Sequence, residues 1–406
     1  MKNFKIFLLL SVLCSNCIHS TKNADDSRIK KIYIKKNLSN TQKVNLSSIA
    51  SNIEYCILET NEKCLVVPQM STYCTEEYVV TIGNQSTNND VCYVFERKTG
   101  KFVKQISNMG RGPGEYTESI SFFWDGVNEQ ICVFGNNQYL FFNLDGTLSH
   151  KTGKFKHYMG RFISYENFYV GYTPNNLGNN TMKIAFYDKT GAFIDSIPNY
   201  RSWKKTQTWS ASSPDSWLYT FCNNLYFKEI YCDTLYHIKD FALYPKYIFN
   251  TGGSAVPYEI QEGGRYFSAN TIKTGKFEDN YKKYIIILKI LENNIHLFFT
   301  IEYREQLYPA VYDKTKDRLQ IMLPVSNPPL SKNRKIPFYG FENDLDGGLP
   351  FWPLQMISDK EMMAVYTAEE LLELDVSKIT NEKLKNVLNS INEESNPIVA
   401  IVTLKN

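Results

Sequence analysis

Val94-Phe95-Glu96-Arg97-Lys98-Thr99-Gly100-Lys101-Phe102 returns, with altered side chains, as Ala185-Phe186-Tyr187-Asp188-Lys189-Thr190-Gly191-Ala192-Phe193. Between them lies Phe141-Phe142-Asn143-Leu144-Asp145-Gly146-Thr147-Leu148. Each copy reads as an apolar strand, a polar turn and a second strand. The turn glycines stand at 100, 146 and 191, in steps of 46 and 45. A degenerate copy, Leu235-Tyr236-His237-Ile238-Lys239-Asp240-Phe241, and a clearer one, Val311-Tyr312-Asp313-Lys314-Thr315-Lys316, extend the series. Asp or Asn ahead of Gly supplies the positive-φ positions that a tight hairpin needs. A hairpin every ~45 residues matches the roughly 40–50-residue period of propeller blades. One blade cannot bury both of its faces, so neighbours must stack around an axis. The wedge-shaped gaps between twisted sheets account for 28 Tyr and 25 Phe.

Five copies predict five blades. A sixth is built from the ends: Ile53-Glu54-Tyr55-Cys56-Ile57-Leu58 and Ile398-Val399-Ala400-Ile401-Val402-Thr403-Leu404 are both strand-like. Pairing them closes the ring and removes a free edge. The step of 76 from Asp240 to Lys316 leaves seven blades as the alternative. It is read here as a loop insertion over residues 251–283. In the stretch 361–395, Thr367-x-x-Glu370 is a capping box, and Leu384, Val387, Leu388 and Ile391 keep helical spacing after Thr380. This predicts a short helical excursion near the C-terminus, packed on the propeller itself, within an otherwise all-β six-bladed fold.

Composition sets the class. Apolar residues at 43% and charged residues at 21% exclude a disordered or collagen-like chain, and a net charge of +3 offers no field for nucleic acid. At the N-terminus, Lys2 and Lys5 precede the apolar run 6–13, a secretory signal too short to span a bilayer. Leu13-Cys14-Ser15-Asn16-Cys17 resembles a bacterial lipobox, with Cys17 as the lipidated residue. Asn16 and Cys14 fit that pattern poorly, and the alternative is ordinary cleavage near Ser20. The expected organisation is a signal over 1–16, a lipid-anchored polar tether over 17–40 and a propeller over 41–406. The seven later cysteines are odd in number and irregular in spacing, a poor disulfide framework. Cys92 and Cys132 read as small core residues, and only Cys222 and Cys232 flank a hairpin that a bridge could span.

The most distinctive string is Gly110-Arg111-Gly112-Pro113-Gly114-Glu115-Tyr116. Together with Leu58-Glu59-Thr60, the hairpins, and Asn343-Asp344-Leu345-Asp346-Gly347-Gly348 followed by Phe351-Trp352-Pro353, it carries a resemblance. The chain resembles the six-bladed β-propeller lipoproteins of Bacteroides-type bacteria, which are related at fold level to NHL-type propellers. The resemblance spans essentially the whole mature chain. It implies an outer-membrane envelope location, facing the periplasm or the cell surface, and it brings no agreed catalytic residues.

Physically, the three glycines around Arg111 could cradle an anion, with Glu115 and Tyr116 beside it. The competing reading is an inter-blade connection in which Arg111 and Glu115 bond each other or the backbone. Trp203, Trp209 and Trp217 fall among Lys, Gln and Ser in what reads as a polar loop over 199–221, able either to stack on sugar rings or to pin the loop to its blade. Asp344-x-Asp346-Gly347 is a calcium-loop fragment without the remaining ligands and reads first as a turn, so Asp344 and Asp346 are the only metal candidates and no cofactor is expected, with Ca2+ as the one alternative left open. The five histidines show no zinc spacing. The function expected is a non-catalytic, rigid binding or scaffold propeller for a glycan, peptide or envelope-protein partner, touching the membrane only through its anchor. The alternative is a metal-dependent lactonase or lyase at one channel mouth, a reading that rests on fold analogy.

Overall fold

The computed structural model describes residues 29–67, 70–84, 90–106, 110, 112, 121–135, 138–155, 157, 161–175, 178–202, 216–230, 232–257, 282–326, 339–379 and 381–405. The chain enters through β1 (Lys30–Tyr33), α1 (Ile34–Asn37), β2 (Thr41–Gln42) and β3 (Ala50–Ile57). Blade one follows as β4 (Ser71–Cys74), β5 (Tyr78–Asn84), β6 (Asp90–Glu96) and β7 (Phe102–Ile106). Blade two is β8 (Ser121–Asp125), β9 (Gln130–Gly135), β10 (Gln138–Phe142) and β11 (Leu148–Lys151). Blade three is β12 (Arg161–Tyr165), β13 (Phe168–Tyr172), β14 (Met182–Asp188) and β15 (Phe193–Pro198). Blade four is β16 (Ser216–Phe221), β17 (Asn224–Glu229), β18 (Thr234–Lys239) and β19 (Ala242–Asn250). Blade five is β20 (Ile286–Glu292), β21 (His296–Tyr303), β22 (Gln306–Asp313) and β23 (Arg318–Met322), with β24 (Val325–Ser326) added to β22. Blade six is β25 (Gln355–Met356), β26 (Glu361–Tyr366) and β27 (Ile398–Leu404), completed by β3.

The described residues thus form six sheets, and the excess of the 76-residue step falls between β19 and β20. The repeated turn has one structural meaning. In blades one to five it joins the third strand to the fourth. In blade six those two strands are β27 and β3, from opposite chain ends, so no turn exists there and the sequence shows five copies for six blades. Tyr55 pairs with Ala400 and Glu54 with Ile401, as ring closure requires. The turn chemistry recurs too. The Asp145 carboxylate accepts from the Thr147 N–H at 2.8 Å, that of Asp188 from Thr190 at 2.9 Å, and that of Asp313 from Thr315 at 3.0 Å. Gly100, Gly146 and Gly191 take φ values of 71°, 82° and 90°.

Every neighbouring pair of blades shares an apolar layer and a polar latch. Arg97 and Glu361 join blades one and six at 2.8 Å, and Lys104 Nζ donates to the Asp145 carbonyl between blades one and two. Ser164 Oγ donates to Asp125 at 2.6 Å between blades two and three, and Lys183 meets Glu229 between three and four. Tyr219 Oη donates to Glu292 at 2.9 Å between four and five, and Trp352 Nε1 donates to Thr300 Oγ1 at 3.1 Å between five and six. Buried polar groups satisfied in this way hold each wedge in one register.

The N-terminal segment straps the ring. β1 lies parallel to β19 on the outer edge of blade four, with Lys30 opposite Tyr247, and β2 lies parallel to β23 on blade five. Residues 30–40, within the stretch read as tether, therefore include a strand and a helix whose Ile32 and Ile34 are buried against Tyr247 and Phe249. Covering an outer strand this way removes an exposed edge. The helical excursion sits between β26 and β27 as α2 (Ala368–Leu372) and α3 (Glu382–Ser390). Thr367 and Glu370 form the capping box, and Asn381 caps α3. Leu384, Val387 and Leu388 are buried in the same core as Phe351, Met362 and Ala400.

Candidate functional site

The first strand of each blade, β4, β8, β12, β16, β20 or β25, pairs on one side only and turns its other edge to the axis. Second strands such as β13, β17 and β21 are buried almost throughout. By contrast Tyr73, Trp124, Trp217 and Gln355 on the inner strands are half-buried, so solvent reaches the axial edge of the sheets. Tyr73 stacks on Trp124 across blades one and two, with ring centroids 5.8 Å apart. Trp217 packs with Ile230, Val256 and Leu288 where blade four meets blade five. Gln355 Nε2 donates to the Cys74 carbonyl at 2.9 Å, and its Oε1 accepts from the Cys74 N–H at 2.8 Å. One side-chain amide thus continues the backbone ladder from blade six to blade one.

β20 departs from this pattern. It is buried except at Lys289 and Leu291. Its register with β21 shifts between Leu288 and Ile290, making Lys289 the extra residue of a bulge, at φ 37°. The extra residue lets Ile287 and Ile290, three apart, face the same apolar layer between blades four and five. Lys289 is half-buried, and the loss of solvent around its amine pulls it down to about 7.

The residues singled out from the sequence fall into two groups. Arg111, Glu115 and Tyr116 lie between β7 and β8, Trp203 and Trp209 lie between β15 and β16, and all five are outside the described residues, as is Cys17. Both segments are connections from a fourth to a first strand. In four-stranded antiparallel blades all such connections leave from one face, so Ile106 and Pro198 deliver the chain to the same side of the ring. Trp217 is not in a loop: β16 starts at Ser216, so the polar segment ends earlier than its composition suggests.

Asp344 and Asp346 are described, and they point to different partners. Asp344 accepts from the Ser47 N–H at 2.9 Å and from Ser47 Oγ, fastening the N-terminal strap. Burial works to raise its pKa, but these bonds hold it below the usual carboxylate value. Asp346 is buried and its carboxyl is pushed up by that burial. It sits with Tyr55 Oη and Asn343 Nδ2 close around Gly348, where a Cβ would stand 2.7–3.0 Å from all three. Among the described residues no group of three His, Cys, Asp or Glu could hold a metal ion. Cys222 and Cys232 are both free thiols, so the hairpin carries no bridge.

Lys289, on the inner strand of blade five, is not among the residues the sequence singles out; its signal there is a lone charge inside Ile285-Ile286-Ile287-Leu288-Lys289-Ile290-Leu291.

No curated protein matches the chain. Among solved structures it is similar to a presumed exported protein of Bacteroides fragilis NCTC 9343, at 20% identity over 93% of this chain and 99% of that one, with a TM-score of 0.62. A member of the DUF4221 family from Bacteroides vulgatus aligns over 88% of this chain and 97% of its own, at 11% identity and a TM-score of 0.48. The first of these likenesses shows the six-bladed propeller fold and nothing finer. The family described as a domain of unknown function, DUF4934, matches residues 29–403. The chain therefore belongs to the DUF4934 family, whose domain is built here as a closed six-bladed β-propeller.

Proposed function

We propose that this protein is an exported, lipid-anchored binding propeller that holds a glycan, peptide or protein partner at one mouth of its axis. The observation that carries the reading is the contrast between sealed second strands and half-buried inner strands bearing Tyr73, Trp124 and Trp217. Aromatic faces beside an amide, held by a rigid ring, suit a ligand that meets several blades at once. Six latched interfaces supply the rigidity, which lowers the ordering cost of binding. Arg111, Glu115, Tyr116, Trp203 and Trp209 are further candidates for the mouth nearer Trp217, since their connections leave from the face at which β16 begins, whereas Tyr73 and Trp124 stand toward the far ends of β4 and β8.

The test is tryptophan fluorescence against a glycan and peptide panel, repeated with Trp217→Ala. Quenching that saturates in the wild type and weakens in the variant supports the reading. A large thermal shift with calcium and no response to the panel would replace it with the metal-dependent enzyme. Membrane attachment is tested by labelling cells with a palmitate analogue. Loss of label in Cys17→Ala supports anchoring there, and unchanged label removes that assignment. No helix of the described residues is long and apolar enough to cross a membrane.

A further inference from the structure

Lys289 differs from the other lysines withdrawn from solvent. Lys183 pairs with Glu229, and Lys314 pairs with Glu292 at 2.9 Å. Lys228 is fully buried, and its Nζ donates to the carbonyls of Glu229, at 2.6 Å, and Cys232. Lys189 lies 4.4 Å from the centre of the Tyr169 ring. Among the described residues, no carboxylate, carbonyl or aromatic face receives the Lys289 amine. Among the described residues no charged group acts on its titration, which burial alone lowers. A positive φ at a non-glycine residue is imposed by its surroundings, and such outliers gather where function needs them. Here the imposed geometry sits in a bulge, with Lys289 half-buried, on the strand whose open edge is the axis.

We propose that Lys289 is the receiving group for the carboxylate of a small ligand bound on the propeller axis. The proposal rests on the axial binding reading above and names its chemistry. A withdrawn ammonium without a counter-charge is costly, and a ligand anion is what makes it favourable. The lysine carries one charge and three N–H donors, with no guanidinium fork beside it, which suits a monoanion better than a phosphate. Buried Leu288 and Ile290 flank it and keep the local dielectric low, where a single ion pair gains most. An acidic sugar and a peptide C-terminus would both present the same group.

The purified protein is treated with an amine-acylating reagent near neutral pH, and labelling at each lysine is read by peptide mass spectrometry. One arm contains glucuronate and the other an N-acetylated dipeptide with a free C-terminus. An ion pair keeps the amine protonated, so the arm carrying the true ligand class slows labelling at Lys289 by about tenfold or more, while exposed lysines are unaffected. Glucose and the dipeptide amide give no protection. By calorimetry Lys289→Gln loses the carboxylate ligand, and Lys289→Arg, which keeps the charge, retains it. The proposal is overturned if neither carboxylate slows Lys289, or if all lysines slow together. If that happens while a neutral ligand still quenches tryptophan fluorescence, the axial binding reading stands alone. If nothing binds in either assay, both fall.

Discussion

Replacing Lys289 by Met should stabilise the protein, and by an amount that depends on pH. A lysine in the unfolded chain titrates near 10.4, whereas burial brings Lys289 to about 7 in the fold. Between these values the unfolded chain holds a proton that the native state lacks, so wild-type stability rises with pH across that window. Below it both states are protonated, and the folded protein carries the full cost of a charged amine on the axis. A gap of about 3.4 pH units at 1.36 kcal/mol each sets that cost at roughly 4–5 kcal/mol as an upper figure. Met is unbranched, of similar length and uncharged. Lys289 is half-buried and solvent recovers part of that cost, so Lys289→Met should gain about 2 kcal/mol over wild type at about pH 6 and less than about 1 kcal/mol near pH 10. Urea unfolding followed by tryptophan fluorescence at the two pH values gives the comparison, read from midpoints at unchanged slope. A difference between variant and wild type that is the same at both pH values would refute the reasoning, because it would mean the amine is charged and solvated in the native state.

Three further outcomes follow from the packing. Gly100→Ala should cost more than about 3 kcal/mol, because φ is 71° and a Cβ would lie 1.8 Å from the Ile57 carbonyl oxygen at the closing strand. Gly253→Ala, at φ 81° with nothing within 4 Å, should cost only about 1 kcal/mol, and calorimetric melting of the two variants separates steric clash from backbone strain. Arg97→Met should lose about 1–2 kcal/mol by unlatching blades one and six, and a double-mutant cycle with Glu361→Gln should return a coupling near 1 kcal/mol. Cys222 and Cys232 should both take iodoacetamide without prior reduction, read by peptide mass.

The fold was legible because it is written in local chemistry. A carboxylate followed two residues later by a threonine, as at Asp145, Asp188 and Asp313, closes a turn whatever the rest of the chain does. Recurrence of that turn counts the blades, and two unpaired terminal strands supply the last one. The capping box at Thr367 is equally local, which is why the helical excursion could be placed. The strap was illegible for the opposite reason. Ile32 and Ile34 stand among Lys30, Lys31, Lys35 and Lys36, and the run looks polar until Tyr247 and Phe249 cover the two isoleucines. Asp344 looked like half of a calcium loop, since sequence proximity to Asp346 hides that its partner is Ser47, far away in the chain.

Sequence alone determined the blade repeat, the turn geometry, the ring closure and the class of chain, since each depends on residues a few positions apart or on simple pattern. Only the tertiary structure decided that Lys289 sits in a bulge, that Gln355 bridges two blades and that residues 30–42 bind the outer edges of blades four and five. A bulge is set by register against β21 and by the apolar layer shared with blade four, and a charge loses its partners only relative to side chains brought in from elsewhere. Such properties belong to the packed ring and have no counterpart in any short stretch of the chain.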